Sequence, residues 1–176
     1  EFDYSYMRNS LRLFSEKACF FYTRDEASVE TFYKAGAKKL PIAGVDVVFA
    51  NDYIQRASVG GNSVKAAFRN VPYVDVTSDL DWHKWSNVLK KIGVSSLIWD
   101  WSDAQKALDI PIANTNILTQ IASSRMVVAM RFHIIVVAAM MGVLPIPIAY
   151  CPKVRRLADQ LGISEYCLSI KEHDKL

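Results

Sequence analysis

Arg131 and His133 are the side chains in this sequence best placed to do chemistry. They lie in the run SSRMVVAMRFHIIVVAAMMGV, residues 123–143. A short apolar strand beginning at Arg125 to Val128 passes there into a helix that is apolar almost all round, Ile134 to Met141. The first turn of a helix offers unpaired backbone N–H groups and the positive end of the helix dipole. A cationic side chain where a strand hands over to a buried helix is therefore an anion-site signal. An arginine at that point can grip a phosphate or carboxylate with two parallel N–H bonds. An imidazole, which titrates near ~6.5 in water, can donate to the same anion or deliver a proton. The competing reading is a structural histidine satisfied by its surroundings. Two polar residues at the mouth of an apolar helix need a reason, because burying them without partners is costly.

The flanking elements must position these groups. Gly142 ends the apolar helix, and Leu144 to Tyr150 form a second apolar strand. Pro152-Lys153 open an amphipathic helix with Val154, Leu157, Ala158 and Leu161 inward and Arg155, Arg156 and Asp159 outward. Upstream, Ser63 to Arg69 read as a strand ending in arginine. A helix over Asp81 to Ile92 carries Trp82, Trp85, Val88, Leu89 and Ile92 on one face, with Ser78 or Asp79 as its cap. Gly93 ends it, and Val94 to Trp99 form a buried strand. Asp100 and Asp103 follow at that strand's C-terminal end, where open α/β sheets place ligands; a turn role serves them equally. A short helix over Ser102 to Leu108 and one over Asn114 to Ile121 complete the series. This alternation from residue 63 onward predicts an α/β fold, a mostly parallel Rossmann-like sheet with helices on both faces. No GxGxxG or GxxxxGK[ST] loop is present, so an anion must be held by side chains and helix ends.

Nearer the start, residues 4–17 have helical spacing, with Met7, Leu11 and Phe14 on one face. Ala18 to Tyr22 read as a strand. A helix runs from about Asp25 to Ala35, with Val29, Phe32 and Tyr33 inward, Ser28 and Glu30 outward and Gly36 at its C-cap. Val45 to Phe49 read as another strand. Residues 51–62, with Gly60-Gly61-Asn62, are the clearest linker. The tail from Lys171 is charged and is expected to fray.

The totals exclude some classes. The chain has 176 residues, 51% hydrophobic and 22% charged, with a net charge of +3. That size supports one good core, or one domain and a piece of another. No basic tract is present and the four tryptophans lack an accompanying basic groove, so nucleic acid is not an expected partner. Three cysteines (Cys19, Cys151, Cys167) without ligand spacing predict free thiols in a reducing compartment and no metal. The first residues are polar and aromatic, unlike a signal peptide, and Glu1-Phe2 resemble a cloning remnant. The uncharged run Ile134 to Tyr150 is shorter than the about 20 residues a spanning helix needs. No transmembrane span is expected, and a cytoplasmic location, with at most peripheral membrane association, follows.

Met130-Arg131-Phe132-His133, an apolar helix, Gly142-Val143 with Pro145, Tyr150 with Pro152-Lys153-Val154, then Leu161-Gly162 resemble the C-terminal signature of the polysaccharide pyruvyl transferases. The order and spacing match, except for Leu144 inserted before Pro145 and the bulky Ile134 after the histidine. Arg24-Asp25 with Ser28, then Gly36, then Asp46 with Phe49, keep the order of the family's preceding block; Arg24-Asp25 reads equally as a capped helix start. The resemblance implies one half of a GT-B-like two-domain architecture. Residues 1–50 then correspond to the remnant of an N-terminal α/β part, 51–62 to the linker, 63–170 to the donor-binding domain and 171–176 to the tail.

The resemblance also implies an activity. Pyruvyl transfer moves the enolpyruvyl unit of phosphoenolpyruvate onto a sugar, or a lipid-linked glycan precursor, as a ketal across two hydroxyls. Such a donor needs at least two fixed cations and a proton source, and no further cofactor. By the resemblance, Arg131 clamps an oxyanion and His133 donates to the phosphate or acts as the acid. Arg69 holds the carboxylate, and Lys153 holds the far side or serves only to start its helix. Two other readings stay open. One is a non-catalytic reduced copy that binds an anion or a protein partner. The other is a glycosyltransferase of the same architecture using a nucleotide sugar, its base stacked at the Trp99–Trp101 edge.

Overall fold

The computed structural model describes residues 4–44, 49, 61–69, 81–97, 109–112 and 116–176. The chain forms two compact units, Glu1–Asn51 and Asp52–Leu176.

The first unit runs α1 (Tyr4–Lys17), β1 (Tyr22–Thr23), α2 (Glu26–Lys34) and β2 (Ile42–Ala43), with β1 and β2 paired in parallel. The expected strand from Ala18 shrinks to Tyr22–Thr23, because the Ala18 amide still bonds to Phe14 O at 2.9 Å and closes the last turn of α1. Phe14, Phe21 and Phe32 pack together, with ring centroids 5.2 Å apart for the Phe14–Phe21 and Phe21–Phe32 pairs. Tyr33, expected inward, points to solvent at 70% exposure; Phe32 takes the inward place on α2. Asp25 caps α2: its Oδ1 accepts from Ser28 N at 2.8 Å and from Ser28 Oγ at 2.6 Å. Ser28 therefore folds back onto the cap and does not point away. Asp25→Ala is expected to cost about 1–2 kcal/mol of this unit's stability and Asp25→Asn much less. Denaturation followed by circular dichroism measures both, and equal losses for the two variants would sink the capping role. The expected strand Val45 to Phe49, with Asp46, lies outside the described residues except for Phe49.

The second unit runs β3 (Ser63–Ala67), α3 (Trp82–Lys91), β4 (Ser95–Ser96), α4 (Ile117–Ala122), β5 (Ser124–Ala129), α5 (Phe132–Met140), β6 (Leu144–Ala149), α6 (Pro152–Gln160) and β7 (Leu168–Ser169). Its strands are all parallel, in the order β4-β3-β5-β6-β7. Ser96 also bridges in parallel to Ile112, on the far side of β4. Counted with that bridge, the order is the Rossmann 3-2-1-4-5-6, which reverses direction between β3 and β5. The expected α/β Rossmann-like class is the fold observed.

The strands read as near-continuous apolar runs because both faces are covered. Val64, Ala66 and Phe68 of the β3 segment join Val128, Met130, Ile146 and Ile148 in one buried cluster, which α3 closes with Trp85 and Leu89. Ala67, Val127 and Ala129 point the other way by the strand's period of two, toward the fully buried Ile134 and Ile135 of α5 and Val154 and Leu157 of α6. Helix α5 is apolar all round for this reason: five consecutive residues, Ile134 to Val137 and Ala138, are buried. Gly142, at φ +76°, takes the left-handed turn that releases the chain into β6. At the entry to β3, Gly61 meets the Ser123 carbonyl so closely that an added Cβ would lie 1.5 Å from the oxygen. That backbone approach, and not a free loop, fixes the glycine there.

Several expected boundaries move. Asp81, and not Ser78 or Asp79, caps α3 by accepting from Lys84 N at 3.0 Å; Ser78 and Asp79 lie outside the described residues. So do residues 51–60 of the linker, the Ser102–Leu108 helix, and Trp99, Asp100, Trp101 and Asp103. Helix α4 starts at Ile117, where Asn116 accepts from Leu118 N at 2.9 Å. The tail does not fray. Glu172 accepts from Ser169 N at 2.7 Å and from Lys175, which holds its carboxyl down at about 2, and Leu176 packs on the core. Among the described residues no helix is long and apolar enough to cross a membrane.

Candidate anion site

Parallel strands present all their C-terminal ends on one edge, and here that edge carries the candidate residues. Ala67 of β3 is in register with Ala129 of β5, and Met130 N donates to Ala67 O at 2.9 Å. Arg69 and Arg131 each stand two residues beyond those paired alanines. Neighbouring strands lie about 4.8 Å apart, so the two residues stand beyond adjacent strand ends at the point where the sheet order reverses. Open α/β sheets place ligands in that crevice, outside the carboxyl ends of the strands.

Arg131 takes the N-cap position of α5, with extended backbone (φ −78°, ψ 118°) and no side-chain cap bond. It is half-buried; His133, in the first helical turn, is exposed. The His133 ring meets Phe132 edge-on, with centroids 5.6 Å apart. On the next strand Ala129 pairs with Pro147, which brings Tyr150, Cys151 and the start of α6 to the same edge. Pro152 occupies the first turn of α6, where a missing N–H costs nothing, and the half-buried Lys153 follows it.

The structure joins two residues that the sequence left apart. Arg69 and Tyr150 stand on either side of the end of strand β5, where the Arg69 cation acts on the Tyr150 phenol. Burial is the main cause that pushes the Tyr150 phenol up; Cys151 pushes the same way, and the Arg69 cation opposes both. The Arg69 Nε–H is buried and has no hydrogen-bond partner. Tyr150 carried no assigned role in the sequence. Its signals were its place in the C-terminal motif and its position directly after a buried strand; Arg69 lies in a segment far away in sequence. Asp100 and Asp103, expected near this edge, lie outside the described residues. Among the described residues no group of His, Cys, Asp and Glu side chains could hold a metal ion.

The sheet order defines an α/β domain of Rossmann type, with Arg69 and Arg131 beyond the strand ends at its reversal. The chain belongs to the polysaccharide pyruvyl transferase family, whose model matches residues 2–152. That match includes Arg69, Arg131, His133 and Tyr150 and ends just before Lys153. No curated protein and no solved structure matches the chain.

Proposed function

We propose that this polysaccharide pyruvyl transferase-like protein binds phosphoenolpyruvate at the β3–β5 edge and transfers its pyruvate unit, as a ketal, to a sugar of a glycan precursor. The observation that carries this reading is the placing of Arg69 and Arg131 beyond adjacent strand ends at the reversal of the sheet, with His133 in the first turn of the helix that follows. A donor with a phosphate and a carboxylate needs two separate cationic grips, and that edge offers them. Arg69 takes the carboxylate, Arg131 the phosphate, and Lys153 at the start of α6 lies on the far side.

The reaction balances without an added cofactor. One sugar hydroxyl oxygen bonds to the central carbon of the donor while the methylene carbon gains a proton and becomes a methyl group. The C–O bond to phosphate breaks, and the second hydroxyl oxygen closes the ketal. One hydroxyl proton replaces the proton used at the methylene, and the other leaves with phosphate. His133 is the proton source for the methylene or the departing phosphate, a role that suits an imidazole near neutral pH. In this reading the domain is one half of a GT-B-like pair, and the sugar acceptor approaches the exposed His133 side.

Thermal-shift and calorimetric titrations test the donor. Phosphoenolpyruvate is expected to stabilise the protein more than inorganic phosphate or UDP at equal concentration, and His133→Ala is expected to weaken that effect. Stronger stabilisation by UDP points instead to a nucleotide-sugar donor, and no response to any of the three removes the anion-binding reading.

A further inference from the structure

We propose that residues 170–176 form a strap that positions Arg69 at the end of β3, acting through Trp85 and Phe68. The inference rests on the donor assignment given above and adds positioning residues to it. The strap leaves the sheet at the end of β7. The parallel register of β7 with β6, Ile148 with Leu168 and Ala149 with Ser169, puts that exit on the same edge as Arg69 and Arg131. The strap is fastened at both ends. At its start the buried Trp85 Nε1–H donates to Ile170 O at 2.8 Å. Beyond the turn His173–Lys175, Leu176 packs against the core cluster. Between these anchors Glu172 accepts from Ser169 N at 2.7 Å and from Lys175. The His173 ring meets the Trp85 indole edge-on, with centroids 6.3 Å apart.

The sheet order shows what these contacts span. Strands β3 and β7 are separated by β5 and β6, yet Trp85 meets both sides: Ile170 beyond β7, and Phe68 at the end of β3, ring to ring at 5.3 Å. Phe68 is fully buried, is flanked by Trp82 at 6.3 Å and directly precedes Arg69. A ring held by close packing fixes the direction in which the backbone leaves β3, and so the point from which the Arg69 side chain starts. The Arg69 Nε–H has no hydrogen-bond partner, so its aim depends the more on that starting point. A long side chain loses much freedom when it is ordered, and a site that holds it ready before the ligand arrives gains affinity. The ring contacts of Trp85 run to Phe68 and His173. Slack in the strap therefore reaches Arg69 before it reaches Arg131, which starts from the N-cap of α5.

The test releases the strap and leaves Trp85 and both arginines in place. The pair Glu172→Ala/Leu176→Ala removes the acceptor and the apolar anchor; Glu172→Gln/Leu176→Met keeps an acceptor and an apolar group of similar size. Calorimetric titration compares phosphoenolpyruvate with inorganic phosphate. We expect the alanine pair to lower affinity for phosphoenolpyruvate about tenfold and to leave that for phosphate within about twofold, and the conservative pair to bind like wild type. In an Arg69→Ala background the alanine pair should cost nothing more, because the strap acts through Arg69. Amide hydrogen exchange should quicken at residues 66–69 and stay unchanged at 127–129 and 146–148. Wild-type affinity for phosphoenolpyruvate in the alanine pair, equal losses for the two ligands, or a further loss in the Arg69→Ala background overturns the positioning role and leaves the donor assignment standing. If wild type does not respond to phosphoenolpyruvate, the donor assignment fails and exchange alone decides the strap. Quickening confined to residues 66–69 then upholds its hold on the end of β3, and uniform quickening or none overturns it.

Discussion

Arg131→Ala is expected to abolish the stabilisation that phosphoenolpyruvate gives the wild-type chain. At a ligand concentration about 100 times the dissociation constant that stabilisation is about 2.7 kcal/mol. The side chain makes no cap bond to α5, so its removal leaves the helix's own hydrogen bonding intact and the free protein should still fold. What disappears is the fork that can take two oxyanion oxygens in one plane at the positive end of a helix. Arg131→Lys keeps the charge without the fork and should retain only part of the effect. Where transfer can be assayed, losing one fixed cationic donor to the developing phosphate charge should lower the rate by about 100–1,000-fold. The check is a titration of wild type and both variants by melting temperature and by calorimetry. A wild-type shift in Arg131→Ala would place the phosphate elsewhere.

Trp85→Ala is expected to be the most destabilising single change in the second unit, at about 3–5 kcal/mol. The indole is completely buried and sits 5.3 Å, ring to ring, from Phe68. Its Nε1–H donates to Ile170 O at 2.8 Å, so truncation opens a large cavity and also strips a buried carbonyl of its donor. The effect reaches the site through the chain: Phe68 is the residue before Arg69, and Ile170 follows β7 on the same sheet. Trp85→Phe keeps much of the contact area and loses only the N–H, so it should cost roughly half as much. Urea unfolding measures both. A loss below about 1 kcal/mol for Trp85→Ala would mean that α3 is not the lid of this core.

Elements with strong local signals were legible. Helix α6 could be placed from Pro152 and its inward face Val154, Leu157 and Ala158, because a proline at the first turn and a 3.6-residue period are local properties. The apolar run of β6 and the turn at Gly142 were legible for the same reason. The cap of α3 was misplaced because several of the residues Ser78, Asp79 and Asp81 can each cap a helix, and only the direction of the backbone chooses Asp81. Tyr33 was assigned inward because its spacing from Val29 fits a helix stripe; three phenylalanines, Phe14, Phe21 and Phe32, make the ring contacts there instead. The charged tail looked ready to fray because its composition is polar. Composition does not reveal that Glu172 bonds back to Ser169 or that Leu176 finds the core.

By itself the sequence determined the class of the protein. Its strand and helix periods and the order of its C-terminal motif mark an α/β domain of the polysaccharide pyruvyl transferase family. Tertiary structure alone decided which of its cations share a sheet edge. Arg69 and Arg131 stand beyond adjacent strand ends because β3 and β5 are neighbours although β4 lies between them in sequence. Strand order and parallel register are set by the burial of both faces of a sheet, a sum over the whole core. Local spacing carries no record of that sum.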